Sequence, residues 1–310
     1  TTKSMATTKP LRNRLQRLKS EYERLRKGKD ALLSMIDEAE IPESVYNSNA
    51  IENSTLTLKE TEKILLEMKV SRQVTVREVY EAKNLARVIG YIRDKSQGMD
   101  IGRENISLLH RMLIGGIDDD IAGRFRKTGE YVRIGTHIAP APEQVEGMLE
   151  SALTEYADDF DAFFTDKIAK FHLEFETIHP FNDGNGRIGR VLMNVQLLKL
   201  GFPMIIIRDK EKGKYYASFT DYRYKKNTKA MEKVVALALM ESLHKRITYL
   251  KGEKIVALAD YAKKWELSAP AILNAARRQN IPAFREKGVW HIGEGFEYRS
   301  GKKSRSPGHK

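Results

Sequence analysis

The sequence predicts a mainly α protein: a helical bundle that carries one short β-hairpin and ends in a small mixed module. Three observations lead there. Apolar residues recur at intervals of three and four along most of the chain, the spacing of one helix face. One stretch, Gly123–Pro140, breaks that rhythm with β-branched and aromatic residues between turn-forming glycines. From Ile255 onward the elements become short, two helical runs followed by two extended ones.

Taken in order, Leu11, Leu15, Leu18, Tyr22 and Leu25 mark an amphipathic helix over Leu11–Met35, and residues 1–41 form an N-terminal helical segment. Thr1–Ser4 read as an appended remnant. Pro42 leads into Asn47–Asn53, after which Leu58–Lys69, Thr75–Ser96, Glu104–Ile114, Pro142–Ala157 and Lys167–Ile178 follow as helices. Pro180 stops the last of these. Arg187–Leu200, Lys212–Tyr224 and Met231–Leu250 complete the body, residues 42–250, with a short apolar stretch at Ile205–Ile207. The extended segment Gly123–Pro140 reads as a hairpin flap turning at Gly129 and Gly135. Residues 251–299 form the terminal module, and 300–310, which lack apolar content, a disordered basic tail.

Composition narrows the class. There is no cysteine, no apolar run of about 18 residues and no signal-peptide pattern. A cytoplasmic protein without a membrane partner is expected. The net charge of +12 is carried by the ends, with ten Lys/Arg against six Asp/Glu over 1–40 and thirteen against six over 251–310. The body is close to neutral and is not itself a nucleic-acid surface.

Residues 179–190 read His-Pro-Phe-Asn-Asp-Gly-Asn-Gly-Arg-Ile-Gly-Arg. A packing core has little use for that mixture, whereas a site that handles a polyphosphate and a metal has a use for each group. Gly184 and Gly186 let backbone N–H groups approach an anion in a turn that feeds a helix N-terminus. His179 has the pKa of a general base, and Asp183 is a hard oxygen ligand suited to Mg²⁺ on nucleotide phosphates. Asn185 and the Gly184–Gly186 amides can donate to phosphate oxygens. Arg187 and Arg190, three apart, are expected to share a face and reach phosphate together. Phe181 reads as a core anchor. The Walker spacing is absent, and so is the His-Glu-x-x-His spacing that would make His172, Glu176, His179 and Asp183 a metal-hydrolase site. His172 is expected to be a satisfied helix histidine.

The segment resembles the complete Fic motif, and the resemblance extends over roughly residues 42–225. It implies a Fic-type helical bundle that transfers AMP from ATP to a Ser, Thr or Tyr hydroxyl of a protein, with Mg²⁺. In that reading His179 is the base, Asp183 the metal ligand and Arg190 the γ-phosphate partner. It further implies that Val132, Ile134 and Gly135 of the flap dock the target backbone by strand addition. Tyr216 matches a nucleotide-contacting tyrosine, although Arg223 stands where many members have asparagine. Gly186 is not the lysine of the Doc-like kinase branch. Ser48-Asn-Ala-Ile-Glu52-Asn53 resembles the family's inhibitory motif on a helix over about 47–54, and a carboxylate there would occupy Arg190. Transfer of UMP or phosphocholine, or a DNA-binding regulator with a Fic fold as sensor, are the rival readings.

The terminal module, with helices Leu258–Trp265 and Ala269–Gln279 (N-cap Ser268) and a wing around Glu286-Lys-Gly, resembles a winged helix-turn-helix unit. Arg277, Arg278, Arg285 and Lys287 are its candidate phosphate contacts. DNA or a protein is its expected partner, and a homodimer stays open.

Overall fold

A computed structural model describes residues 8–70, 73–135 and 137–298. The expected tail 300–310 and the residues before Met5 lie outside the described residues. Twelve α-helices are found among the described residues. They are α1 (Lys9–Arg26), α2 (Asp30–Ile51), α3 (Leu58–Glu62), α4 (Val76–Lys95), α5 (Arg103–Ile114), α6 (Pro142–Asp158), α7 (Phe164–Ile178), α8 (Asn185–Lys199), α9 (Lys212–Lys225), α10 (Lys229–Lys251), α11 (Leu258–Lys264) and α12 (Ala269–Arg277). None is long and apolar enough to cross a membrane.

The helix α8, which begins inside the 179–190 motif, is the centre of the molecule. Every residue from Asn185 to Leu197 is buried. Its Ile188, Val191, Leu192 and Val195 join one apolar core with α4, α5 and α7. Met193 and Leu197 join a second core with α1, α2, α9 and α10. A helix buried on all sides has no solvent-facing side for its charged residues, so Arg187 and Arg190 must find partners inside the protein.

The N-terminal region departs from the single helix Leu11–Met35. The chain breaks at Lys27–Lys29, where Gly28 adopts φ 72°. Helix α2 then runs on through Pro42 to Ile51, at the cost of one backbone hydrogen bond. Its acidic side chains explain why it holds: Glu40 receives Arg246 at 2.6 Å and Lys245 at 3.0 Å from α10, while Glu43 pairs with Arg208. The helix expected over Leu58–Lys69 widens after Glu62 into a π-turn, Lys63–Glu67, and ends at Met68 in a left-handed conformation.

The flap is smaller than expected. β1 (Arg133–Ile134) pairs antiparallel with β2 (His137–Ile138), extended by Ala139 N–H donating to Val132 O at 3.0 Å. Gly135 takes φ 60° at the turn.

The terminal module has a strand that the sequence reading did not include. β3 (Ile255–Ala257) pairs with β5 (Val289–Gly293), which also pairs with β4 (Phe284–Glu286), giving the order β3-β5-β4. The turn between β4 and β5 has φ 51° at Lys287 and φ 79° at Gly288, the signature of a primed hairpin turn. Ser268 is the N-cap of α12 but makes no side-chain capping bond.

Helices α7 and α8 approach most closely at Gly189, where a Cβ would lie 2.7 Å from both Glu176 Oε1 and the His172 ring. Gly189→Ala is therefore expected to destabilise the fold by about 1–3 kcal/mol through overpacking, read as a lower chemical-denaturation midpoint with an unchanged m-value.

Candidate active site

The motif loop is built from its ends inward. His179 caps α7 in the left-handed region, φ 51°, its N–H donating to Phe175 O at 2.9 Å. Its carbonyl accepts Arg126 Nε at 2.8 Å. Arg126 also donates to Pro140 O at 2.8 Å and to Glu130 O at 3.0 Å, so one buried guanidinium ties the loop to the base of the flap. Phe181 is buried as expected and stacks on His110 with ring centroids 3.7 Å apart. Gly123 N–H donates to His110 Nδ1 at 2.9 Å, so Nε2 carries the proton that is donated to Asp183 O at 2.9 Å. Neither Arg126 nor His110 stands out in the sequence. Each is a lone polar residue whose role comes from long-range packing.

Three expectations for the motif are corrected. The Asn185 side chain does not face an anion: its Oδ1 accepts Phe181 N–H at 2.9 Å and its Nδ2 donates to Phe181 O at 2.8 Å. It closes the loop and leaves only its backbone N–H for a ligand. The Gly184 N–H is taken by Asp183 Oδ1 at 2.6 Å, which leaves the first turn of α8, at Asn185, Gly186 and Arg187, to present free amides. Arg187 and Arg190 do not converge. Arg187 turns towards α4, 3.1 Å from Glu81 and 3.2 Å from Asp183. Arg190 turns towards α2. Each follows its nearest buried acceptor, so side chains that start from neighbouring positions on the helix diverge.

Every nitrogen of the Arg190 guanidinium is committed. Its Nη2 donates to Glu52 Oε1 at 2.8 Å and to Ser48 O at 2.9 Å, its Nε to Ser48 Oγ at 2.9 Å, and its Nη1 to Tyr215 OH at 3.3 Å. Ser48 and Glu52 thus meet Arg190 from one helical turn. Glu52 is the C-cap of α2, and Asn53 follows with φ 68°. Asn53 N–H bonds to Ala50 O at 3.0 Å and Ser54 N–H to Asn49 O at 3.0 Å, a Schellman end that requires a residue tolerant of the left-handed region. Gly186 admits the carboxylate: a Cβ there would sit 2.1 Å from Glu52 Oε1. Tyr216 donates to Ile51 O at 2.8 Å, and so also holds the end of α2.

Asp183 is paired with Arg187 and with Arg77 of α4. Burial alone would raise its pKa, but the arginines and the Gly184 amide outweigh burial and bring it below the usual carboxylate range. Among the described residues no group of three or more His, Cys, Asp or Glu side chains is gathered that could hold a metal by itself.

Burial sets the protonation of the interior. It pulls the pKa of His179 down to about 4, of His110 to about 4 and of His172 to about 3. It raises that of Glu176 to about 8, and the negative charge of Glu52 adds to the rise. His172 Nε2 accepts from Tyr215 OH at 2.7 Å, but its Nδ1 is buried without a hydrogen-bond partner among the described residues, so the expected satisfied histidine is satisfied on one side only.

With this geometry in view, the comparisons fall into place. Residues 100–197 match the model of the Fic/DOC family. The chain is similar to a protein of Nematostella vectensis named protein adenylyltransferase Fic, 34% identical over 179 residues, or 56% of this chain and 41% of that one. The chain thus spans well under half the length of that curated relative. Among solved structures, it is similar to a Fic domain containing signaling protein from Bacteroides thetaiotaomicron, with TM-score 0.70 and 25% identity over 77% of this chain and 97% of that one. A Fic family protein from Desulfovibrio desulfuricans shares the fold over 95% of this chain and 99% of its own, at TM-score 0.61 and 19% identity.

The buried imidazoles give a pH dependence with a definite sign. Their folded pKa values lie below the unfolded value near 6.5, so the unfolded chain binds more protons between pH 6.5 and about 4. The stability they contribute is complete above pH 6.5 and is lost as pH falls through that window. Glu176 acts the other way, its contribution being lost as pH rises towards 8. With His244, also pulled down to about 4 by burial, the buried imidazoles outweigh the carboxyls that burial raises, Glu174, Glu176 and Glu232, so the urea midpoint is expected to be lower at pH 5 than at pH 7.

Proposed function

We propose that this chain transfers AMP from ATP to a protein hydroxyl and that Glu52 holds it off. One observation carries the reading. A complete phosphate-handling motif opens α8, and the one guanidinium of that motif left to meet a terminal phosphate is occupied by a carboxylate of the same chain, 2.8 Å away. In the reaction the hydroxyl oxygen bonds to the α-phosphorus as its proton passes to His179, and pyrophosphate leaves with the electrons of the broken bond. The amides at the start of α8 and Arg190, once freed, hold the phosphates. A single carboxylate, Asp183, fits a Mg²⁺ that arrives with the nucleotide, since that ion commonly takes one or two carboxylates and substrate phosphates. Its chemistry there would be charge neutralisation, and Arg77 would have to turn away to admit it. The strand edge at Val132, Ile134 and Gly135 is exposed or half-buried, as target docking requires.

The test uses labelled ATP, with labelled UTP as its control. Glu52→Gly should raise self-labelling steeply over the parent chain, and Arg190→Ala added to it should cancel the gain. His179→Ala in the Glu52→Gly background should lower the rate by roughly 10²–10⁴-fold while ATP binding persists. Equal labelling by the parent and Glu52→Gly chains would remove the inhibitory reading, and preference for UTP would move the activity to another nucleotide.

For the terminal module the structure narrows the DNA reading. Arg285 is held by Glu241 at 2.6 Å and Glu211 at 3.0 Å, and Lys287 lies 2.9 Å from Glu62. The wing therefore faces the body, and of the four candidate contacts Arg277 and Arg278, exposed at the C-terminal end of α12, remain for duplex. In gel-shift titrations of the full chain, Arg277→Ala with Arg278→Ala should flatten the salt slope. Arg285→Ala should instead lower the thermal midpoint. Retention of the full slope in the double variant would end the DNA reading.

A further inference from the structure

Glu176 has no place in the reaction as described, yet it is aimed at its base. It lies one turn before His179 on α7, with Oε2 3.8 Å from His179 Nδ1. His179 Nδ1 is buried without a hydrogen-bond partner among the described residues, as are the other carboxylate oxygen, Glu176 Oε1, and His172 Nδ1. Glu176 has room there because residue 189 is glycine: an added Cβ would meet Glu176 Oε1 at 2.7 Å and His172 Nδ1 at 2.8 Å. A general base must present a bare Nε2 to the hydroxyl, so its proton must sit on Nδ1. A buried N–H left without an acceptor costs about 1–3 kcal/mol.

We propose that Glu176 is a positioning residue for His179, accepting the Nδ1 proton and so fixing the tautomer whose Nε2 takes the proton of the attacking hydroxyl; this rests on the transferase reading above. The hydroxyl proton goes to Nε2, the Nδ1 proton stays shared with the carboxylate, and the pair gains one proton in total. The carboxylate then stabilises the imidazolium that forms.

The surroundings bear on when this happens. Facing Glu176 are Glu52 from the end of α2, Arg190 from α8, His172 and His179 from α7, and Tyr215 and Tyr216 from α9. The main-chain carbonyl of Glu176, a competing acceptor, faces the imidazole, as do Glu52, which raises its pKa, and Arg126 and His137, which lower it. Glu52 raises the pKa of Glu176 and Arg190 lowers it. Loss of the Glu52 carboxylate therefore favours the ionised form of Glu176 that accepts the proton.

The experiment measures first-order self-labelling by ATP from pH 5 to 9 in the Glu52→Gly chain, with and without Glu176→Gln. Glutamine keeps the volume and removes the charge. The plateau rate is expected to fall by roughly tenfold or more and the acidic limb to move to lower pH, with ATP affinity by calorimetry unchanged. Glu176→Asp should recover part of the rate. An unaltered rate and pH profile would overturn the proposal and leave the main-chain carbonyl as the acceptor. Parallel loss of ATP affinity and thermal stability in Glu176→Gln would overturn it in favour of packing alone. If the Glu52→Gly chain labels nothing, the transferase reading fails by itself. The ¹⁵N spectrum of the His179 ring then decides the pairing: a lower imidazole pKa in Glu176→Gln supports it, and an unchanged titration overturns it.

Discussion

The arrangement of this molecule turns on a buried arginine. Arg190 sits on a helix with no exposed side, 6% accessible, and its charge must be met inside the protein. The groups that meet it come from α2 and α9, so the guanidinium joins the end of the N-terminal helical layer to the central helix. Burying a charge with imperfect partners is costly and removing a partner more so. The contact is accordingly divided between two kinds of acceptor. Ser48, through its hydroxyl and its carbonyl, supplies neutral contacts on a fixed turn of helix, and Glu52 supplies the charge from the last position before the chain turns. The neutral contacts can persist when the charged one is exchanged for a phosphate, which makes a reversible brake physically reasonable at a site where losing every partner would unfold the helix end.

Further along α2 the same logic is repeated with opposite emphasis. Asp37 and Glu40 receive Arg246, and Glu43 meets both Arg208 and the Gly288 N–H at 3.0 Å. Glu241 of α10 completes the set, bound to Arg208 and Arg285. This network fastens the wing of the terminal module to the helix that carries Ser48 and Glu52. Ionic contacts of this kind contribute little net stability but are specific about which surfaces meet. They account for the module's basic residues in a way that net charge could not: a count of thirteen Lys/Arg suggested a nucleic-acid face, whereas the two in the wing serve an internal interface.

The fold was largely legible because its signals are local. Helical periodicity, Pro180, the glycines of the flap and the Glu-Lys-Gly turn each report their own few residues, and the elements appear close to where they are expected. The break at Lys27–Lys29 was not legible: the apolar stripe continues through it, and only the positive φ of Gly28 interrupts the helix. Pro42 misled in the opposite sense, since a proline predicts a boundary unless distant charges hold the helix together across it. At the site, the motif disclosed which residues matter but not which way they point. Arg187, Asn185 and Arg190 differ in direction because Glu81, Phe181 and Ser48 happen to be their neighbours, and those neighbours lie up to 142 positions away. Tyr215, Arg126 and His110 were silent for the same reason.

Direction also decides how the inhibitory end could open. Helix α2 is pinned along its length by Arg246, Arg208 and the Asp209 N–H, which donates to Asn47 at 3.0 Å, so it cannot withdraw as a rigid body without stripping several buried charges. Glu52 is different. Its side chain is 36% exposed, it lies at the cap rather than within the helix, and its neighbour Asn53 already holds the strained conformation of the turn. Rotation of one carboxylate away from Arg190 disturbs none of the contacts that hold Asp37, Glu40, Glu43 and Asn47. The proposed brake is therefore a side-chain device on a fixed helix. Anything that frees it must act at the end of α2, where Tyr216 and Gly186 face the carboxylate, rather than by moving the layer on which it is mounted.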